Sequence, residues 1–247
     1  MDSALDTFLW LIFPYICLSI FVLGHIVRYR YDKFGWTSRS SQMYEDSILR
    51  WANPMFHFGI LAVFLGHVMG LGVPQSWTDR VGLSEGAYHF MAVTVGAVAG
   101  LFTIVGLIGL LYRRRFTKAV LGATTKTDKA MYLMLTVVIL TGLINTGSGV
   151  VGDYNYRQGV SVWFRGIFYF NPQPELMADA PLNFQIHGFL AIALFAMWPF
   201  TRLVHAFTAP LGYFFRPYIL YRTRDDHEGS RSRRRGWDKV DTIPRRR

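Results

Sequence analysis

Long stretches without charged residues constrain this chain more than any other feature. The stretch 51–78 contains no Asp, Glu, Lys or Arg over 28 residues, which is long enough for a helix to cross a bilayer. A second charge-free stretch, 180–201, lies later in the chain. Ionisable side chains at membrane depth are costly, so histidines in such helices need an explanation. Four lie in or just beyond these stretches: His57, His67, His187 and His205.

Composition supports a membrane protein. Apolar residues make up 51% of the chain and charged residues only 17%, below the roughly 25% that is usual in soluble domains. The net charge of +10 is concentrated in blocks, since 11 of the 26 Lys and Arg follow residue 210. Basic blocks beside apolar runs are typical of a chain in contact with membrane lipid and do not require nucleic acid as a partner. We therefore predict an all-α integral membrane protein.

Cysteine usage limits the cofactors. The single cysteine, Cys17, can form no internal disulfide and cannot supply the four thiolates that an iron–sulfur cluster normally needs. The chain also lacks a Cys-x-x-Cys-His motif, so any haem must be held by coordination and not by the usual covalent attachment.

Five apolar runs predict a bundle of five transmembrane helices within a membrane domain of residues 1–220. The tail 221–247 has little apolar content and is predicted to be basic and flexible. It is either a solvated determinant of topology or a segment that contacts anionic lipid or a partner. The expected spans are about 7–27, 52–73, 86–112, 130–152 and 182–208.

The distribution of basic residues predicts the orientation of the bundle. The first and third loops hold five and six Lys or Arg, whereas the second and fourth hold one and two. Cytoplasmic loops carry the excess of Lys and Arg in membrane proteins. We therefore expect the N-terminus outside, the C-terminus in the cytoplasm, and a multi-pass location in the cytoplasmic membrane.

Topology suggests how the four histidines pair. Three crossings separate the second and fifth spans, so these two helices run antiparallel. His57 and His205 then lie toward the inner side, and His67 and His187 toward the outer side. Two neutral imidazoles from opposite sides suit a six-coordinate haem iron that passes electrons. The pattern thus predicts two b-type haems, with these four histidines as the axial ligands of their iron atoms.

The spacing along the two helices is unequal. His57 and His67 are separated by about 15 Å of helix rise, and His187 and His205 by about 27 Å. Tilt, side-chain reach and a kink at Pro199 must absorb the difference. Two alternatives stay open: each imidazole bonds a neighbouring helix, or the pairs bind zinc. Zinc is disfavoured because it usually takes four ligands together.

Other side chains are candidates near the two pairs. Arg202 lies one helical turn before His205, and Arg114 lies in an arginine triplet at the inner end of the third span. Each either contacts a haem propionate or serves as a positive anchor at the membrane surface. Tyr88 and His89 begin the third span on the outer side. His89 either meets a lipid-soluble substrate there or is an ordinary helix-end residue.

The chain resembles the gamma subunit of respiratory nitrate reductase, a membrane cytochrome b, over nearly all of residues 8–220. The resemblance rests on five segments: PYI (14–16), RYRYDKFGWTSRSSQM (28–43), FHFGILAVFLGHVMG (56–70), ATTKTD (123–128) and HGFLAIALFAMWPFTRLVHAFTAP (187–210).

The resemblance implies a five-helix cytochrome with a proximal haem on His57 and His205 and a distal haem on His67 and His187. It also implies that a membrane quinol, either menaquinol or ubiquinol, is oxidised near the distal haem. Gly66 matches the family's quinol pocket, as does His67. A lysine often found at the start of the third span has no match, and Tyr88 and His89 occupy that neighbourhood.

The family releases the quinol protons outside and passes the electrons inward. The expected partners are an iron–sulfur beta subunit and a molybdenum-containing alpha subunit that reduces nitrate. This chain is then an enzyme only as the cytochrome subunit of a quinol:nitrate oxidoreductase, with no nitrate-reducing site of its own. Two alternatives are a di-haem cytochrome b of a sulfur- or disulfide-reducing complex and a haem-free anchor or transporter.

Overall fold

The computed structural model describes residues 3–32, 41–152 and 154–208. Every regular element among these residues is helical, and five helices are long and apolar enough to cross a membrane, which confirms the predicted five-helix class. The tail 221–247, the predicted domain end at 220 and part of the first loop lie outside the described residues. The five helices are α1 (Ala4–Tyr31), α2 (Leu49–Gly72), α3 (Glu85–Phe116), α4 (Lys126–Val150) and α5 (Leu182–Phe200).

Polar side chains mark where two of these helices begin. The Ser84 hydroxyl accepts the amide of Ala87 at the start of α3. At the start of α4, Thr125 and Asp128 each accept the other's backbone N–H, which forms a capping box. Such caps satisfy amide groups that have no partner within the helix.

Short helices connect the spans and flank them. A 3₁₀ turn, Gln42–Tyr44, precedes α2. Wider π-helical turns occupy Phe8–Ile12 in α1 and Val68–Gly72 at the end of α2, the latter directly after His67. The connecting α-helices are Gln75–Arg80, Lys118–Gly122, Val160–Phe168 and Pro174–Ala178.

The helices pack in the order α1, α5, α4, α3, α2. The approach of α2 to α3 is especially close because glycine leaves room for backbone contact. A Cβ atom on Gly59 would lie 2.6 Å from the amide nitrogen of Thr103, and one on Gly106 would lie 2.3 Å from that of Phe56. Among the described residues, α2 and α5 are not a closely packed pair. α2 therefore lies at one end of the row, whereas α5 lies between α1 and α4.

The fifth span is not one continuous helix to residue 208. Its α-helix ends at Met197, a 3₁₀ turn covers Trp198–Phe200, and Thr201 is extended with φ −124° and ψ −177°. A second 3₁₀ helix, Arg202–Phe207, then begins with the Thr201 hydroxyl as its cap. Pro199 accounts for the break because proline lacks an N–H and its ring clashes with the preceding turn. The segment that carries His205 is thus redirected after α5.

Candidate site of two histidine pairs

The first pair joins α2 to the segment after α5. The ring centres of His57 and His205 are 5.9 Å apart. His57 Nδ1 lies 2.8 Å from the carbonyl oxygen of Asn53, and His205 Nδ1 bonds the carbonyl oxygen of Arg202. Since a carbonyl only accepts, both Nδ1 atoms carry the proton and both Nε2 atoms keep a lone pair.

The second pair joins α2 to the start of α5. The ring centres of His67 and His187 are 6.1 Å apart. His67 Nδ1 donates to the carbonyl oxygen of Val63 at 2.8 Å, whereas His187 Nδ1 lies 3.0 Å from the hydroxyl of Thr141 on α4. The two pairs therefore connect opposite ends of α2 to opposite ends of the fifth span.

This donor set fits a haem iron at each pair. An imidazole nitrogen binds a first-row metal at about 2 Å, so two rings on opposite sides of one ion have centres roughly 6 Å apart. A metal-bound histidine also usually donates its other ring N–H to a protein acceptor. All four imidazoles have Nδ1 in such a bond. Within the described ranges, no group of three or more His, Cys, Asp or Glu side chains is arranged so that it could hold a metal ion.

The structure gives Arg202 a partner that the sequence did not suggest. Its Nε lies 2.5 Å from Oδ1 of Asp128, and its Nη2 lies 3.1 Å from Oδ2 of the same carboxylate. The Asp128 side chain is only 3% exposed. Because Asp128 also caps α4, this two-fold ion pair joins the start of α4 to the segment that carries His205. A role for Arg202 at a propionate stays a prediction.

The arginine triplet is also engaged by protein groups. Arg114 donates to the hydroxyls of Tyr132 and Thr124 and lies over the Tyr132 ring, with 4.9 Å between the guanidinium carbon and the ring centre. Arg113, 2% exposed, binds the Glu45 carboxylate at 2.6 Å and two oxygens of Ser41. These contacts join the end of α3 to α4 and to the loop before α2.

Glu45 is held in its charged form. Burial opposes the charge, but hydrogen bonds from Ser47, the Ile48 amide and Arg113 outweigh it and lower the pKa of the Glu45 carboxyl to about 2. The Ser41–Arg113 contacts add two donors from the same guanidinium to this loop. At neutral pH the loop before α2 is therefore bound to the end of α3 through Arg113.

The candidates near the second pair have separate surroundings. Gly66 is exposed, and a Cβ atom built on it would meet nothing within 4 Å. His89 Nε2 donates to the carbonyl oxygen of Gly149 at 2.7 Å, which joins α3 to α4. Among the described residues, no hydrogen bond or ring contact links His89 or Tyr88 to His67.

Tyr88 belongs to a buried polar cluster. The guanidinium carbon of Arg157 lies 3.8 Å from the centre of the Tyr88 ring, and Arg157 pairs with Glu85 at 2.8 Å. Arg157 also donates to the Thr78 hydroxyl at 2.8 Å. The Tyr88 and Tyr156 hydroxyls are 3.4 Å apart. Burial and this hydrogen bond raise the pKa of the Tyr156 phenol, so it stays protonated.

Sequence reasoning missed four residues that organise these sites. Thr141 was not distinguishable from other polar residues of α4, and Asp128 and Glu45 were only acids in basic loops. Arg157 was one of two basic residues in an aromatic loop. The capping pattern Thr125-x-x-Asp128 was a usable signal for the helix start, although not for the pairing with Arg202.

Together the fold and the two histidine pairs define a multi-pass helical membrane protein with two pairs of neighbouring imidazoles along one bundle. Residues 6–224 match the family model described as the nitrate reductase gamma subunit. The chain belongs to this family, which confirms the resemblance inferred from its five segments.

Individual relatives support the same family. The chain is 42% identical over 217 residues to the nitrate reductase gamma chain of Bacillus subtilis, covering 87% of this chain and 97% of that one. It is 34% identical over 233 residues to the respiratory nitrate reductase 2 gamma chain of Escherichia coli, covering 91% and 100%. It is 58% identical over 231 residues to the nitrate reductase-like protein NarX of Mycobacterium tuberculosis, covering 92% of this chain but 35% of NarX. The chain thus spans about a third of the length of NarX.

Proposed function

We propose that this chain is the quinol-oxidising electron-transfer subunit of a membrane-bound respiratory nitrate reductase. Family membership and the near-complete match to two gamma chains support the complex. The observation that carries the electron-transfer role is the spacing of the two histidine pairs, 5.9 and 6.1 Å between ring centres, with every Nδ1 in a hydrogen bond.

The four histidines would hold two b-type haems. His57 and His205 would bind the proximal haem, and His67 and His187 the distal one, each through Nε2. A haem held by two imidazoles supplies a one-electron carrier with no open coordination position. The hydrogen bond at each Nδ1 fixes the tautomer whose Nε2 lone pair would be available to bind iron. Arg202 and Arg114 are proposed at the proximal propionates, since both lie at the His205 end of the bundle.

Quinol oxidation is proposed at the distal pair. Gly66 adds no side chain beside His67, which leaves room for a quinol ring head. His89 donates through Nε2 to Gly149, so its Nδ1 keeps a lone pair that can accept a quinol proton. Tyr88 supports this end of α3 through its contact with Arg157. The quinol itself is either menaquinol or ubiquinol.

The proposed orientation places the distal pair outside. The loops at the His57 end hold five and six basic residues, against one and two at the His67 end. Protons would leave outside, and electrons would move inward to an iron–sulfur beta subunit and then to a molybdenum-containing alpha subunit. The chain itself would lie in the cytoplasmic membrane and would not reduce nitrate alone.

The first experiment is a reduced-minus-oxidised optical spectrum of the purified full chain, with extracted haem quantified per polypeptide. We expect two b-type haems per chain. His205→Ala should remove mainly the proximal haem and His187→Ala mainly the distal one, because each loses an axial ligand. His89→Gln is the matched control and should keep both.

Three results would contradict parts of the proposal. Folded protein without haem would show that the four histidines serve in helix packing. Two full haem signals in either alanine variant would show that the pairing of the histidines is wrong. Copurification with a sulfur- or disulfide-reducing subunit would replace nitrate reductase by the alternative complex.

A further inference from the structure

One of the four candidate ligands is oriented differently from the others. His57, His67 and His205 each donate Nδ1–H to a carbonyl oxygen three or four residues earlier in their own segment. The Nδ1 atom of His187 instead bonds the Thr141 hydroxyl, a side chain 46 residues earlier on another helix, and the imidazole also interacts with the backbone of Val138 on that helix. The orientation of His187 therefore depends on how α4 packs against α5.

The direction of this hydrogen bond follows from the surroundings of Thr141. Its hydroxyl lies 3.0 Å from the carbonyl oxygens of Val137 and Val138, which can only accept. The single hydroxyl proton is directed to these carbonyls, as is common for threonine inside a helix. The oxygen is then free to accept the Nδ1–H of His187, and a hydroxyl that is already donating accepts more strongly.

The residue next to Thr141 leaves the space that the imidazole ring of His187 occupies. A Cβ atom on Gly142 would lie 3.1 Å from Cε1 and 3.6 Å from Nδ1 of His187. Any side chain there would press on the imidazole. One turn of α4 thus supplies both a hydrogen-bond acceptor and the clearance that the ring needs.

We propose that Thr141 is a positioning residue that sets the tautomer and ring orientation of His187 and thereby tunes the distal haem. This inference rests on the proposed function. An acceptor at Nδ1 makes an imidazole a more basic ligand, which favours oxidised iron. Removing the acceptor therefore raises the midpoint potential of the distal haem and leaves the proximal haem unchanged, because among the described residues the imidazoles of His57 and His205 hydrogen-bond only backbone carbonyls.

The test compares Thr141→Val with Thr141→Ser in the full chain carrying both haems. Valine has the shape of threonine without the hydroxyl, and serine restores the hydroxyl. Thr136→Val is the matched control, since Thr136 is also half-buried on α4 and, within the part of the chain that the structure describes, its hydroxyl bonds only the carbonyl oxygen of Tyr132, at 2.7 Å. The readouts are redox titrations and low-spin electron paramagnetic resonance of each haem, with the distal signal assigned by its loss in His187→Ala.

We expect Thr141→Val to raise the distal potential and shift the distal resonance, while Thr141→Ser and Thr136→Val match the parent. Gly142→Ala, which presses on the same ring, should also shift the distal resonance. Unchanged distal signals in Thr141→Val, or equal changes at both haems, would overturn the inference while the proposed function stands. A parent chain without haem would overturn the proposed function and this inference with it.

Discussion

At the scale of single residues, hydrogen bonds decide what a membrane-embedded histidine can do. The Nε2 of His89 is occupied by the Gly149 carbonyl oxygen, whereas the four paired histidines use Nδ1. The occupied nitrogen carries the proton, so the lone pair lies on the other one. His89 is therefore suited to accept a proton, and the paired histidines are suited to bind a metal through Nε2.

His89→Gln should slow quinol oxidation about 100-fold, the usual contribution of a general base, and leave both haems in place. A glutamine amide can still donate to Gly149, so the link between α3 and α4 is kept while the base is lost. The measurement is the rate of haem reduction by a water-soluble quinol in a stopped-flow instrument, with dithionite reduction as the control. An unchanged rate would leave His89 as a helix-packing residue.

At the scale of elements, buried ion pairs join segments that are far apart in sequence. Arg113 and Glu45 are 68 residues apart and connect α3 to the loop before α2, and Arg202 and Asp128 are 74 apart and connect α4 to the segment after α5. Removing one member of such a pair leaves a charge without its partner in a poorly solvated place. These pairs thus hold the chain segments that carry His57 and His205.

Glu45→Gln should lower the stability of the folded chain by about 1–3 kcal/mol, because the buried Arg113 loses its charged acceptor. The matched control is Asp46→Asn, since Asp46 pairs with Arg50 on the exposed surface at 3.5 Å and such pairs contribute little. Thermal unfolding in detergent measures the difference.

The ion pair between Glu45 and Arg113 also predicts how the stability difference between the parent and Glu45→Gln depends on pH. The folded pKa of Glu45 is depressed to about 2, so its contribution is complete above the unfolded value of about 4.3 and is lost as the pH falls toward 2. The difference in unfolding free energy between the parent and Glu45→Gln should therefore stay constant from about pH 5 to 8. A stability difference that changes within that pH range would contradict the lowered pKa of Glu45.

At the scale of the whole molecule, α2 lies at one end of the packed row and α5 lies between α1 and α4, so α2 and α5 are not neighbours in the row. One histidine of each pair lies on α2, and its partner lies on α5 or in the segment after α5, so both pairs lie between elements that are not packed closely against each other. One histidine pair lies toward each end of α2, an arrangement that suits transfer of electrons from one membrane surface to the other.

The proposed orientation can be tested by single-cysteine labelling in a Cys17→Ala background. Val81→Cys, in the exposed loop between α2 and α3, should react with a membrane-impermeant maleimide added to intact cells or spheroplasts. Gly122→Cys should react only after the membrane is opened; a Cβ atom there meets nothing within 4 Å, so the change is tolerated. The reverse labelling pattern would show that the bundle is inverted.

Much of the fold and of the candidate site could be predicted from the sequence. The five spans follow from charge-free runs, because backbone and side chains in lipid must avoid unpaired polar groups. The four histidines were evident for the same reason, since ionisable residues are rare in such runs. The break after Pro199 was expected as a kink, while the extended Thr201 and the separate 3₁₀ helix were not.

The sequence by itself determined the membrane class, the five spans and the identity of the histidines that could bind metal, because each depends on local composition and order. Only the tertiary structure decided that His187 bonds Thr141, that Arg202 pairs with Asp128 and that Arg113 pairs with Glu45. Such pairings depend on the rotation and depth of one helix against another. Those are set by packing of side chains distant in sequence, which no single apolar run encodes.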